Sequence, residues 1–141
     1  MINDGLKLTG KLKIALNGET VQEVDNLVVT DGKGYVASRM KDTAADAMSH
    51  MAIGSGSTSA AAGNSALGNQ LGRVALTSTA VSGAVVTYTA TFAAGTGTGA
   101  VTEAGILNAN SSGTLLCRTV FSVVNKGASD SMVITWTVTV S

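Results

Sequence analysis

The segment that most constrains the fold is residues 132–140, where large apolar residues alternate with threonine and valine. A period of two places these two sets on opposite faces of a β-strand. Residues 86–92 repeat the pattern, with threonine at every second position. We therefore expect two central strands whose apolar faces are buried, and we assign Tyr88, Phe92 and Trp136 as anchors of the core.

Alternating or apolar segments bounded by turn residues predict the remaining strands, at residues 6–16, 20–25, 50–53, 73–78, 100–108 and 114–121. One helix is expected near residues 33–41, capped by Thr30 or Asp31 and fraying through residues 42–49. Its apolar stripe comprises Val36, Met40, Ala44 and Met48. The pattern predicts an all-β chain with one domain over residues 1–141. Its architecture is expected to be a jelly-roll-like antiparallel β-sandwich of roughly eight strands with one short early helix.

Charge is unevenly distributed along the chain. Nine basic residues balance nine acidic ones, so no net charge favours nucleic acid or a membrane surface as a partner. Only five charged residues lie beyond residue 46, namely Arg73, Glu103, Arg118, Lys126 and Asp130. A freely soluble protein usually covers itself with mixed charge. We therefore expect other protein to cover part of the surface formed by the C-terminal two-thirds. The N-terminus lacks signal-peptide features and no apolar run spans a bilayer, so we expect a soluble, unprocessed chain.

The first predicted strand carries a row of lysines, Lys7, Lys11 and Lys13, between apolar residues. Acidic residues of the following strand could lie opposite them as ion pairs. One interpretation is therefore a solvated, internally paired face. The other is an electrostatic contact patch for an acidic partner, and on that reading these three lysines are the candidate contact residues.

Two glycine-rich segments, residues 54–63 and 95–99, indicate loops. Exposed backbone N–H groups in such a loop can bind phosphate. No Gly-Lys-Ser/Thr sequence follows the first segment, and no strand–loop–helix unit surrounds it. We therefore expect a mobile or partner-ordered loop.

The hairpin predicted from residues 100–108 and 114–121 places two charged residues together. If Asn110 lies opposite Gly113, Glu103 is diagonal to Arg118 on one face. We interpret these two residues as a structural ion pair, because the same face carries Leu107, Leu116 and Val120. The other face is predicted to carry Ala104, Ile106, Leu115, Cys117 and Phe121. With both faces apolar, we expect the second face to meet the helix, a loop or another subunit.

The residue inventory argues against an enzyme. There is one histidine, His50, and one cysteine, Cys117, which falls within an apolar strand where a thiol is normally inert. The chain holds too few nitrogen and sulfur ligands for a zinc site of its own, and no pair of acidic residues indicates acid–base catalysis. Aromatic residues are few and fall at core positions, which disfavours nucleic-acid stacking. We expect no catalytic residues, no metal, no cofactor and no small-molecule substrate.

Five segments in order are similar to a known family: MAIGSGSTSAA (51–61), ALGNQLGRVAL (66–76), VTYTATF (86–92), GTGAVTEAGILN (97–108) and ITWTVTV (134–140). Together they resemble the capsid cement, or decoration, proteins of short-tailed bacteriophages, over about residues 27–141. The resemblance implies a jelly-roll subunit that forms a homodimer on the outside of an HK97-like capsid. It also implies that the dimer clamps neighbouring major capsid proteins in the virion, after synthesis in the host cytoplasm. Similar sequences occur in tail fibres, so the alternative is a receptor- or glycan-binding β domain of a phage tail fibre.

Overall fold

The structure is a computed structural model that describes residues 5–41 and 46–141. These residues form nine strands and one helix. In chain order the elements are β1 (Leu8–Leu16), β2 (Glu19–Val28), α1 (Thr30–Met40), β3 (His50–Gly54), β4 (Gln70–Ala75), β5 (Ser78–Ser82), β6 (Val85–Phe92), β7 (Gly99–Leu107), β8 (Leu115–Lys126) and β9 (Met132–Val140).

The strands form one continuous, curled antiparallel sheet in the order β4-β3-β7-β8-β2-β1-β9-β6-β5. Strand β2 joins the two halves, because it pairs with β1 along most of its length and with β8 through Leu27 and Val28. The prediction of an all-β chain with one helix is confirmed. Because all nine strands hydrogen-bond in a single sheet, the jelly-roll-like sandwich stays a prediction.

The concave side of the sheet holds the main core. Trp136 lies between Leu12 of β1 and Tyr88 of β6 in the strand register, and all three, like Phe92, are buried in one apolar cluster. The same cluster includes Ile53 from the opposite half of the sheet. The core therefore forms where the two halves of the curled sheet face each other.

One polar contact orients the tryptophan. Its Nε1–H donates to Asn26 Oδ1 at 2.7 Å. Asn26 lies opposite Gly10 in the β1–β2 register, and a Cβ at Gly10 would collide with the Asn26 side-chain amide. Gly10 therefore makes room for the amide that accepts the indole hydrogen bond.

The helix differs from its prediction at both ends. Its N-cap residue is Val29, without a side-chain capping bond, so the assignment of Thr30 or Asp31 as the cap is wrong. A tertiary contact satisfies this end instead, because the Thr30 N–H donates to the Ala62 carbonyl at 2.8 Å. Gly32 is the one buried residue of α1, and its Cα approaches the Leu116 carbonyl too closely for any side chain.

The predicted helical stripe is also only partly correct. Val36 packs at the edge of the core, whereas Met40 is 82% exposed at the end of the helix. Met48 is buried in the core but lies within a non-helical segment, residues 46–49. Ala44 and the rest of residues 42–45 lie outside the described residues. The helix ends at Met40 and is thus shorter than the stripe indicates.

Candidate functional site

The hairpin of β7 and β8 brings Glu103 and Arg118 together. Glu103 lies opposite Val120 and Gly105 lies opposite Arg118, which gives the diagonal arrangement expected from a symmetric loop. Arg118 Nη2 is 2.9 Å from Glu103 Oε1, and Arg118 Nε donates to the same oxygen at 3.0 Å. The two side chains are 2% and 0% exposed. They form a fully buried ion pair.

The glycine-rich loop between β3 and β4, residues 55–69, wraps around this pair. Three backbone N–H groups donate to the carboxylate of Glu103: Gly56 to Oε2 at 2.6 Å, Gly68 to Oε1 at 2.7 Å and Asn69 to Oε2 at 2.8 Å. The guanidinium of Arg118 contacts the loop as well. It donates to Asn64 Oδ1 at 2.9 Å and to the Thr58 carbonyl at 3.0 Å. The loop is therefore held by the chain's own charges, which differs from the expectation of a mobile or partner-ordered segment.

Glycine is required where the loop touches the carboxylate. A Cβ at Gly56 would collide with the Glu103 carboxylate, and one at Gly54 would collide with the Asn69 carbonyl and with Glu103. Converging backbone N–H groups are the usual arrangement of an anion site. Here the anion is the side chain of Glu103, so the three N–H groups that a phosphate would need are already bonded.

The electrostatics of the pair indicate a structural role. Burial acts to raise the pKa of Glu103, but the N–H donors of Asn69, Gly68 and Gly56 and the guanidinium of Arg118 act against it, and the pKa lies below its ordinary value. The carboxylate is therefore ionised at neutral pH and does not serve as a proton donor. The arrangement can fasten a loop to a hairpin, and we refer to these residues, 55–69 with Glu103 and Arg118, as the carboxylate clamp.

The same loop covers the face of the β7–β8 hairpin that carries Glu103, Arg118 and Leu107. Leu67 packs against a small cluster that includes Ala52, Leu107 and Leu115. Leu115 and Leu116 lie on the faces opposite to those predicted. A bulge between Ile106 and Leu107 shifts the register, so Leu115 joins Leu107 while Leu116 enters the main core. The face with Ala104, Ile106, Cys117 and Phe121 belongs to the main core, and the opposite face is the one that a loop covers.

His50 and Cys117 do not approach one another as a catalytic pair. Strand β7 lies between β3 and β8, so the strands that carry the two residues are two strand spacings apart, roughly 10 Å. The register aligns Met51, Ile106 and Cys117 on one face, so His50 points to the other. Burial raises the pKa of the Cys117 thiol far above its ordinary value. The His50 ring contacts Ser49 Oγ at 2.8 Å through Nδ1.

Two further properties of the described residues bear on chemistry. No cluster of three His, Cys, Asp or Glu side chains that could hold a metal ion occurs within residues 5–41 and 46–141. In the same part of the chain, no helix is long and apolar enough to cross a membrane.

The three candidate contact lysines have different neighbours. Lys11 lies between Asp25 and Thr137 in the register, and Lys13 lies between Glu23 and Thr135. Lys7 precedes β1 and lines an open groove of about 400 Å³ beside α1, together with Leu6, Leu8, Thr9, Lys33, Val36, Ala37 and Met40. The structure thus places Lys11 and Lys13 on a polar face, and Lys7 beside apolar side chains.

The charges of the C-terminal two-thirds are mostly withdrawn from solvent. Of the five charged residues beyond residue 46, Glu103 and Arg118 belong to the carboxylate clamp. Lys126 is 1% exposed and donates from Nζ to the Ala93 carbonyl at 2.9 Å.

The remaining two, Arg73 and Asp130, are half-buried and hydrogen-bonded. Arg73 Nη1 donates to the carbonyls of Ala109 and Ser112 at 3.0 and 2.9 Å. Asp130 accepts from Asn17 Nδ2 at 2.9 Å and from the Gly127 N–H at 2.7 Å.

Threonine rows cover the outer face of the sheet next to this charge-poor region. The register pairs Thr87 with Thr137 and Thr89 with Thr135 across β6 and β9. Strand β5 continues this face and is exposed at all five residues. We call the outer side of β5, β6 and β9 the neutral face, because none of these strands contains a charged residue.

The sequence indicated the neutral surface and the carboxylate clamp only in part. The paucity of charge was visible and led to the expectation of a covered surface. The glycines at 54, 56 and 68 were visible too, but Glu103, whose carboxylate lies against them, is 47 positions from Gly56 and 35 from Gly68. No protein-family model, curated protein or solved structure matches this chain.

Proposed function

We propose that this chain is a non-enzymatic virion protein that binds the outside of a phage capsid as a homodimer and cements neighbouring major capsid proteins. The observation that carries the proposal is the neutral surface of residues 47–141. Only Arg73 and Asp130 remain there as partly exposed charges, and both are hydrogen-bonded within the chain.

Neutral polar side chains suit a surface that is to be covered by protein. Charged residues are depleted at the centres of interfaces, because an ion is costly to remove from water. Threonine and serine lose less hydration on burial and can bond to a partner's backbone. The neutral face therefore meets a requirement for contact with a protein shell.

The carboxylate clamp supports the same function through rigidity. Binding is weakened when loops must be ordered at the moment of contact. Here residues 55–69 are already fastened to β7 and β8 by hydrogen bonds to Glu103 and Arg118. A cement protein of this kind would add interface area to the shell with little loss of its own conformational entropy.

The alternative, a glycan-binding domain of a tail fibre, would use the glycine-rich loops as its binding rim. Each loop has one part that is fastened to the rest of the fold. The first has its N–H donors bonded to Glu103. In the second, Gly97 is buried with Ile53 and Phe92 as its side-chain neighbours. No observation on the described residues favours this alternative over the capsid proposal.

The test is co-sedimentation of the purified protein with capsids prepared without it. We expect binding that saturates at a fixed ratio to the major capsid protein, and shells that withstand more heat once loaded. Absence of binding, together with equal stability of loaded and unloaded shells, would contradict the proposal.

Salt distinguishes the two candidate contact surfaces. Binding through the neutral face should change little between low and high salt, whereas binding through lysines should weaken. The double variant Lys11→Thr, Lys13→Thr tests the lysines directly while keeping strand propensity. Lys41→Thr, at the C-terminal end of α1, is a control for the loss of one positive charge elsewhere, to be compared with Lys11→Thr and Lys13→Thr made singly.

A further inference from the structure

Strand β5 is an unprotected edge of the sheet. It pairs with β6 alone, from Ser78 opposite Thr89 to Ser82 opposite Val85. All five of its residues are exposed. The backbone N–H and C=O groups on its outer side therefore lack a strand partner within the described residues, and such a row is a template for another strand.

The opposite edge, β4, carries features that natural sheets use to prevent pairing. A register shift interrupts its ladder with β3 next to Gly54. It also carries Arg73, whose guanidinium reaches the carbonyls of the β7–β8 loop. Strand β5 has no charge, no proline and no register shift against β6. One edge is blocked and the other is open.

We propose that β5 pairs with β5 of a second copy of this chain, antiparallel, about a two-fold axis perpendicular to the sheet. Such a pair is self-complementary, because each copy offers the same edge. It also brings no like charges together, since the strand has none. This inference rests on the homodimer in the proposed function and identifies its interface, but it does not depend on binding to a capsid.

The symmetry fixes the register. Opposed residues of an antiparallel pair lie on the same face of the sheet, and this axis leaves each residue on its own face. Because faces alternate along a strand, two opposed residues must both have even numbers or both have odd numbers. The one register that uses all five residues is centred on Ala80 and places it opposite Ala80 of the second copy. Val81, which is 74% exposed, then lies opposite the second copy's Thr79 and gains a neighbour on the core side of the sheet.

The pairing would extend the neutral face. A two-fold axis perpendicular to the sheet keeps the same side outward in both copies. The threonine rows of β6 and β9 would then continue through two β5 strands into those of the second copy. A single polar surface twice as wide would result.

Charge at Ala80 tests both the interface and the register. Ala80 is exposed and lies on the neutral face beside Thr87, so a long side chain fits without disturbing the core. In Ala80→Lys, two ammonium groups would start from Cβ atoms about 5 Å apart across the axis, and like charges there oppose pairing. Ala80→Glu should act in the same way, whereas an equimolar mixture of the two variants would place opposite charges together.

The measurement is sedimentation equilibrium of the protein alone over a range of concentrations, with circular dichroism to verify folding. We expect a dimer whose dissociation constant rises about fivefold or more in each single variant and falls below both in the mixture. Thr91→Lys, the same charge on the neutral face of β6 but beyond the paired residues, should leave the dimer unchanged. A monomeric wild-type protein would overturn both the interface and the homodimer. A dimer that Ala80→Lys does not weaken would overturn the interface alone.

Discussion

Replacing Glu103 by glutamine tests whether the carboxylate clamp holds the fold. The substitution keeps the size of the side chain and removes its charge. Arg118 would remain buried without its counter-ion. The glutamine NH₂ group would replace one carboxylate oxygen and would face backbone N–H groups, which are donors like itself. Removing one partner of a buried pair typically costs about 3–5 kcal/mol, because the other charge is left uncompensated. We expect Glu103→Gln to lower the free energy of unfolding by that amount.

Such a loss is large beside the roughly 5–15 kcal/mol that stabilises a typical domain. It can be measured by urea unfolding, followed by the fluorescence of Trp136, the one tryptophan of the chain. Glu23→Gln is the matched control, since Glu23 is exposed opposite Lys13 and its loss should change stability by no more than about 0.5 kcal/mol.

A double variant separates an ordinary buried ion pair from the clamp. Replacing both members of a buried pair by apolar residues is often neutral or stabilising. In Glu103→Met, Arg118→Met the three backbone N–H groups of Gly56, Gly68 and Asn69 would also lose their acceptor. Each unsatisfied group costs about 1–3 kcal/mol, so the double variant should remain destabilised by several kcal/mol. Wild-type stability in the double variant, or a loss under about 1 kcal/mol in Glu103→Gln, would refute this reasoning.

Three further predictions concern the same fold. The folded-state pKa of Glu103 is lowered, so its ionised carboxylate stabilises the fold above the unfolded pKa of about 4.3. This stabilisation is lost as the pH falls through the folded-state pKa. Urea titrations from about pH 6 to pH 3 should show the loss in the wild type and less of it in Glu103→Gln. Cys117, buried and with a raised pKa, should resist a thiol reagent until urea unfolds the protein, and fast labelling in native buffer would contradict its placement. Trp136→Ala should lower the free energy of unfolding by about 3–5 kcal/mol in chemical denaturation followed by circular dichroism, and a loss under about 1 kcal/mol would place the side chain outside the core.

The sequence predicted those parts of the fold that rest on local alternation. Residues 132–140 and 86–92 form β9 and β6 as expected. The hairpin register that brings Glu103 near Arg118 was correct because it follows from a count across the loop. The same count failed at Leu115, where a bulge inserts one residue and reverses the faces. After the bulge Leu115 packs with Ala52 and Leu67, and no local sequence pattern indicates this contact between distant segments.

Other features were not predicted because no apolar pattern indicates them. Strand β5 was not predicted, since both its faces are exposed and its residues show no apolar alternation. The sequence indicated the separate parts of the carboxylate clamp but not their contact. Its glycines indicated converging N–H groups, and Glu103 stood out as an isolated acid in a charge-poor region. Joining the two required a contact between residues about 35 to 47 positions apart.

The position of β9 has a consequence for the order in which the chain can fold. It is the last strand in sequence, yet it lies inside the sheet between β1 and β6. Until residues 132–140 take their place, β1 and β6 each present a bare edge and have no bonded strand in common. Completion of this half of the sheet therefore requires β9 to pair with the distant strand β1, and pairings between such distant segments form slowly. A newly made chain would be most vulnerable to aggregation during that interval, just before β9 inserts.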